Sequence, residues 1–347
     1  MITIKKIIAF SIIVALLSIM YTYIIYQQFG NPVVAEWWLK NTIERKETIS
    51  KNTNGERIVI LSGSNGLFGI NSKEIERITG LNVVNLSTHA GLDLNFYKWM
   101  LSKNIKEGDI VVIPLEYAFY QRSGDYSDWF IDNVLAWGDE YFDSLSFIEK
   151  LSLISHTNYD RVLSAYFTTG NRKFVEKSVV DKSPWDVKTQ NLNYTFLALN
   201  NNGDINRMPG HTKYIADILS NIDKSSSVLS YGKTNNSVSD YTLKKLKEIN
   251  ELVNNHHGKM FITWPASINT KFFNKNDVKS FEFTNLIEKT LNENSLNTIC
   301  DHFYANLDGS LFSDTQYHLD ANGALIRSKK LGECINDEII NGDNHRH

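Results

Sequence analysis

The chain has 347 residues, with 36 Lys and Arg against 39 Asp and Glu for a formal charge of −3. Its basic residues are scattered rather than gathered into a stripe interleaved with aromatics, which excludes nucleic acid as a partner class. The length suits one large domain or two ordinary ones, and 42% hydrophobic with 22% charged residues fits a globular fold plus one apolar extra.

That extra comes first. Ile7 to Tyr26 (IIAFSIIVALLSIMYTYIIY) carries no charge over about 20 residues, enough to cross a bilayer as a helix. Lys5 and Lys6 precede it, and a positive flank favours a cytoplasmic N-terminus. The exit, Met20-Tyr21-Thr22-Tyr23, lacks the small residues of a signal-cleavage site. The expectation is an uncleaved anchor over residues 1–28, with Tyr21, Tyr23 and Tyr26 at the outer interface. The remaining chain then lies outside the cytoplasmic membrane; a secreted form released by cleavage is the rival. Residues 29–56 read as a polar stalk with some helix.

From Arg57 the rhythm becomes that of an α/β domain, over residues 57–340. Arg57–Leu61, Leu81–Leu86 and Asp109–Pro114 are short β-branched runs, and the third is almost continuously apolar, as in a strand buried on both faces. Helical segments follow the first two, at Asn71–Thr79 and Leu92–Lys103. Lys259–Pro265 and Asn297–Cys300 give a fourth and a fifth strand, preceded by helices at about 240–255 and 281–294. A last helix starts near Ala321 and runs to about Asn336. Strands alternating with helices predict right-handed crossovers and a mostly parallel central sheet covered on both faces, a three-layer sandwich. The alternation breaks at about 118–238, which reads as one long helical and loop-rich insertion after the third strand. Its aromatics include Trp129, Trp137, Tyr141, Tyr159, Tyr166, Phe167, Trp185 and Tyr194; they are core residues or platforms for sugar rings. Its distal part, from Gly203 to Lys233, shows no periodicity.

Two stretches carry chemistry. The first strand runs into ILSGSNGLFGI, delivering Ser62-Gly63-Ser64-Asn65 to the carboxyl edge of the sheet, where α/β folds place their sites. A serine there is either a helix N-cap or a nucleophile, and a nucleophile needs a histidine base oriented by a third group. Near the C-terminus, Asp314 and His318 stand in the polar turn of LFSDTQYHLDANG, before the last helix and at the same expected edge. Ser64, His318 and Asp314 are therefore the candidate catalytic set. Asp320 is a candidate N-cap for the last helix. His89 lies near the site or simply packs beside Gly91. Glu116 is either a buried partner for an Arg or a site residue. His256 and His257 close a helix, where cations suit the dipole.

The order of serine turn, mid-chain glycine and C-terminal Asp…His turn resembles the SGNH (GDSL-like) hydrolase superfamily. More narrowly, GSNGLFGI and D-x-x-YHL-x-x-x-G resemble the membrane-anchored SGNH-like proteins of bacterial surface polysaccharide and teichoic acid acylation. The resemblance covers roughly Arg57 to Leu331 without the insertion. It implies an SGNH or flavodoxin-like fold with Ser64 as nucleophile, His318 as base and Asp314 as its partner. The implied oxyanion donors are the amides of Ser64 and Gly91, with Asn65 a weaker candidate. The chain departs from the family in having Ser62-Gly63-Ser64 for Gly-Asp-Ser. Its acid stands four rather than three residues before the His, and Pro114-Leu115-Glu116-Tyr117 replaces the third-block Gly-x-Asn-Asp, leaving the third donor unassigned.

The activity implied is acyl transfer or ester hydrolysis on an envelope glycan or acyl-ester substrate, with a multipass membrane acyltransferase as partner and no metal or organic cofactor. The alternative is a non-catalytic scaffold that keeps the fold in a glycan-modification complex. Cys300 and Cys334 either form a bridge tying the last strand to the last helix or are unrelated buried thiols.

Overall fold

The computed structural model describes residues 4–30, 35–162, 196–205, 210–222, 224, 231 and 238–344. Tyr166, Phe167, Trp185 and Tyr194 lie outside these. The chain divides into two compact units. One comprises Met1–Trp37 with Asp125–Lys188, the other Trp38–Gly124 with Thr189–His347.

In the first unit, the apolar segment is a single helix, Ile4–Tyr26, long and apolar enough to span a membrane. The hydroxyl of Ser18 donates to the Val14 carbonyl (2.9 Å), so that polar group is satisfied within the helix. Three further helices, Asp128–Trp137, Asp139–Ser144 and Phe147–His156, make up the described part of the insertion here. Their starts follow from the sequence. Ser127 caps the first through Phe130 N, and Ser146 with Glu149 forms a reciprocal capping box on the third. Phe130, Ile131, Val134 and Leu135 are buried, as are Tyr141 and Phe142.

The second unit is α/β. Its sheet has four parallel strands, β1 (Arg57–Ile60), β2 (Asn82–Asn85), β3 (Ile110–Pro114) and β4 (Lys259–Thr263), in the order β2-β1-β3-β4. Val59 pairs with Val84 on one side and Val111 on the other, and Val112 pairs with Phe261. Ile58, Val59, Ile60, Val111 and Val112 are completely buried, which is why these runs read as unbroken apolar rather than alternating. The expected fifth strand is reduced to one parallel bridge, Ile262 to Thr298. Extended geometry cannot continue, because Ser295 before it and Cys300 after it both have positive φ (59° and 68°). Beyond β4, β5 (Ser267–Ile268) and β6 (Asn306–Leu307) form a separate two-stranded parallel ladder.

Two helix pairs flank these strands. The last helix, Ala321–Asn344, packs on Ser72–Thr79, and Asp240–Asn255 packs on Leu94–Ser102. Cys300 and Cys334 are joined as a disulfide with Cα atoms 5.5 Å apart, fastening the last helix to the bridge beside β4. Asp320 caps that helix through Gly323 N (2.8 Å).

Two stretches differ from expectation. Most of the supposed stalk is the helix Trp37–Asn52, and its inner face (Trp38, Leu39, Thr42, Ile43, Lys46, Ile49, Ser50) is buried. The Lys46 ammonium donates to the carbonyls of Asn85 (2.6 Å) and Gly203 (2.5 Å), while buried Arg57 takes the carbonyl of Ser50 and a bidentate grip on Asp109. Within the distal insertion, where no periodicity shows, Lys213–Asn221 forms a helix capped by Thr212.

Candidate active site

The strand order reverses between β1 and β3: from β1 the chain goes to one neighbour, β2, and then returns to the other side for β3. Ligands of open parallel sheets bind beyond the carboxyl ends of the strands at such a point. The turns leaving β1 and β3 are Leu61-Ser62-Gly63-Ser64 and Leu115-Glu116.

These turns interlock. Ser62 donates its hydroxyl to the Pro114 carbonyl (2.6 Å) and accepts from the Asn65 side-chain amide (2.8 Å). That amide also donates to Pro114 O (2.8 Å). Glu116, buried, accepts the backbone N–H of Asn65 at 3.1 Å, satisfying one of the orphan donors at the start of the short helix Ser64–Leu67. Gly63 is required here, since a Cβ would sit 2.3 Å from Glu116 Oε1 and 2.9 Å from the Ala90 Cα.

The two serines are therefore treated differently. Ser62 is committed to the turn. Ser64 is the first residue of its helix; Gly63, not Ser64, occupies the cap position, and no side-chain cap bond is made. Among the described residues, neither the Ser64 hydroxyl nor its amide forms a hydrogen bond, although the residue is only 8% exposed.

The C-terminal pair forms as expected. His318 Nδ1 lies 2.8 Å from Asp314 Oδ1. With a carboxylate on Nδ1, the neutral ring carries its proton there and presents Nε2 as the basic nitrogen. The turn is closed by Ser313 N to His318 O (2.9 Å) and by the bridge Phe312 to Leu319. His318 reaches the serine helix through Phe68, whose ring centroid is 4.7 Å from the imidazole. Phe68 N in turn donates to Ser64 O (3.0 Å). No hydrogen bond links Ser64 to His318.

The remaining candidates are occupied. The Gly91 amide donates to His89 Nδ1 (2.9 Å). Asn65 uses both ends of its side chain structurally: its Oδ1 accepts from Arg327 Nη2 (2.8 Å), and its carbonyl from Arg327 Nη1 (2.9 Å). The Ser64 amide is thus the one proposed oxyanion donor that carries no bond among the described residues.

His89 gains interest from the same bond. Because Nδ1 accepts from Gly91, the neutral ring holds its proton on Nε2. Burial, helped by nearby His318 and Arg122, pushes its pKa down to about 4, so the ring is neutral at ordinary pH. Arg122 steadies this loop through the carbonyls of Ala90 and Leu92. Two residues went unread in the sequence. Arg327 is fully buried on the last helix and, together with Glu116, brackets Asn65. Tyr120, next to the same turn, has a buried hydroxyl without a hydrogen-bond partner among the described residues, and burial followed by the Glu116 carboxyl raises its pKa. Neither carries a sequence signal: an Arg within Ile326-Arg327-Ser328-Lys329-Lys330 reads as one more surface cation.

No protein-family model matches the chain, and no curated protein matches it by sequence.

Proposed function

We propose that the chain is a membrane-anchored, extracytoplasmic serine acyltransferase or esterase of SGNH type, acting on an acyl ester of an envelope polysaccharide. Its sheet and flanking helices then form a three-layer sandwich, and a multipass membrane acyltransferase is the partner this role calls for. The Ser64 hydroxyl attacks the acyl carbonyl while His318 Nε2 takes its proton. Asp314 holds the ring and stabilises the imidazolium. The Ser64 amide meets the developing oxyanion. Collapse releases the first alcohol, which takes the proton back from His318. A glycan hydroxyl or water then attacks the acyl-serine with His318 as base, giving the acylated glycan or the free acid.

The observation that carries this reading is the contrast between the serines. Ser62 is locked into the turn, while buried Ser64 is uncommitted on a helix whose Phe68 touches the Asp314-paired His318. The test is release or transfer of acyl groups from an O-acylated glycan, which Ser64→Ala and His318→Ala should each abolish. Specific observations also favour a second reading, a non-catalytic scaffold: the Gly91 amide is taken by His89, and Ser64 and His318 are not hydrogen-bonded. Unchanged acyl transfer in both variants would establish it.

A further inference from the structure

The first unit carries the one helix among the described residues that is long and apolar enough to span a membrane. Every residue of the apolar helix from Ile4 to Met20 is exposed, a length of about 25 Å at 1.5 Å per residue. A hydrocarbon core of about 30 Å takes about 20 residues. A crossing that begins at Ile7, just after Lys5 and Lys6, therefore ends at about Tyr26. Protein packing begins sooner. The Tyr21 hydroxyl donates to the Thr157 carbonyl at 2.8 Å, and Tyr21 sits about 7.5 Å along the helix before Tyr26. At the exit, Phe142 packs edge-on against Tyr26, with centroids 5.6 Å apart.

These two ties bracket the helix Phe147–His156. Residue 142, before it, is fixed at the level of Tyr26, and residue 157, after it, at the level of Tyr21. The helix is thereby held within the last turns of the span. Its surface suits that depth. Phe147 (72% exposed), Ile148 (71%) and Leu151 (43%) fall on one arc, Leu153 and Ile154 are buried against the unit, and Glu149 and His156 lie opposite the apolar arc. An apolar arc of this kind at the headgroup boundary is the signature of an interfacial helix, which sinks about 5–10 Å. Lys150 lies with its ammonium 5.4 Å from the Phe142 ring, its stem placed to reach back toward water.

We propose that the helix Phe147–His156 lies in the membrane interface at the Tyr26 end of the span, with Phe147, Ile148 and Leu151 among the lipid acyl chains. The first unit is then seated on the bilayer by two elements rather than tethered by one. This rests on the Ile4–Tyr26 helix crossing the membrane and is independent of the acyl-transfer reading.

The test is nitroxide accessibility on the full chain in phosphatidylcholine–phosphatidylglycerol nanodiscs. The only two cysteines are joined to each other, so an added thiol labels alone. Labels go at Phe147→Cys, Ile148→Cys, Leu151→Cys, His156→Cys and, in mid-span, Ile13→Cys, with circular dichroism confirming that each variant is folded. Oxygen should outcompete a water-soluble nickel chelate in relaxing the labels at 147, 148, 151 and 13, and the ratio should invert at 156. If 13 is lipid-buried but 147, 148 and 151 favour the nickel chelate, the inference is wrong and the apolar arc belongs to a protein partner. If 13 itself favours the chelate, the spanning helix fails and the inference falls with it.

Discussion

Arg327 and Asn65, 262 residues apart, are joined by two hydrogen bonds, to the Asn65 carbonyl at 2.9 Å and to its side-chain oxygen at 2.8 Å. Through this pair the last helix grips the turn that presents Ser64. The Asp314–His318 turn leads directly into that helix. The relative placement of Ser64 and His318 therefore depends on an arginine that is hydrogen-bonded to neither.

Replacing Arg327 by Leu leaves two buried acceptors on Asn65 unpaired, and should cost about 2–5 kcal/mol of stability. Lys should rescue only in part, because it cannot reproduce the forked geometry. Denaturant titration of the full chain in detergent checks both, and wild-type stability in Arg327→Leu would contradict the role.

Lys46 gives a pH signature. Burial, opposed by nearby Asp204, pushes its pKa down to about 7 from the usual 10.5. Between these values the unfolded chain holds a proton that the folded chain has lost. The penalty of burying the charge is complete below about pH 7 and is relieved as pH rises toward 10.5. Relative to Lys46→Met, the wild type should gain stability on going from pH 7 to pH 10, with a slope approaching about 1.4 kcal/mol per pH unit. Parallel denaturation curves at several pH values measure it; a flat difference would show that Lys46 keeps its ordinary pKa.

The Cys300–Cys334 bond closes a sequence separation of 34. Its loss, by reductant or by a Cys300→Ala/Cys334→Ala double variant, should destabilise the α/β unit by about 2–4 kcal/mol. Thermal melts with and without reductant test this, and they should coincide for the double variant.

Much of this fold was legible in the sequence because parallel strands buried on both faces leave unbroken β-branched runs: β1, β3 and β4 all stand where Ile58, Val111 and Met260 announce them. The helix Trp37–Asn52 was not, since its inner face mixes Thr42, Lys46 and Ser50 with apolar residues, and a stripe so polar looks like a solvated stalk. The fifth strand was over-read, because a positive φ at Ser295 and Cys300 is invisible in composition. In the site, the Asp314–His318 pair could be read from spacing. The division of labour between Ser62 and Ser64 could not, because it depends on Pro114, Glu116 and Arg327 arriving from distant segments.

The most direct measurement is covalent labelling of the folded full chain by a fluorophosphonate, with the adduct located by peptide mass spectrometry. The account predicts a single adduct on Ser64, none on Ser62, and loss of labelling in Ser64→Ala and in His318→Ala. A folded wild-type chain that takes no label, or takes it at another serine, would contradict it.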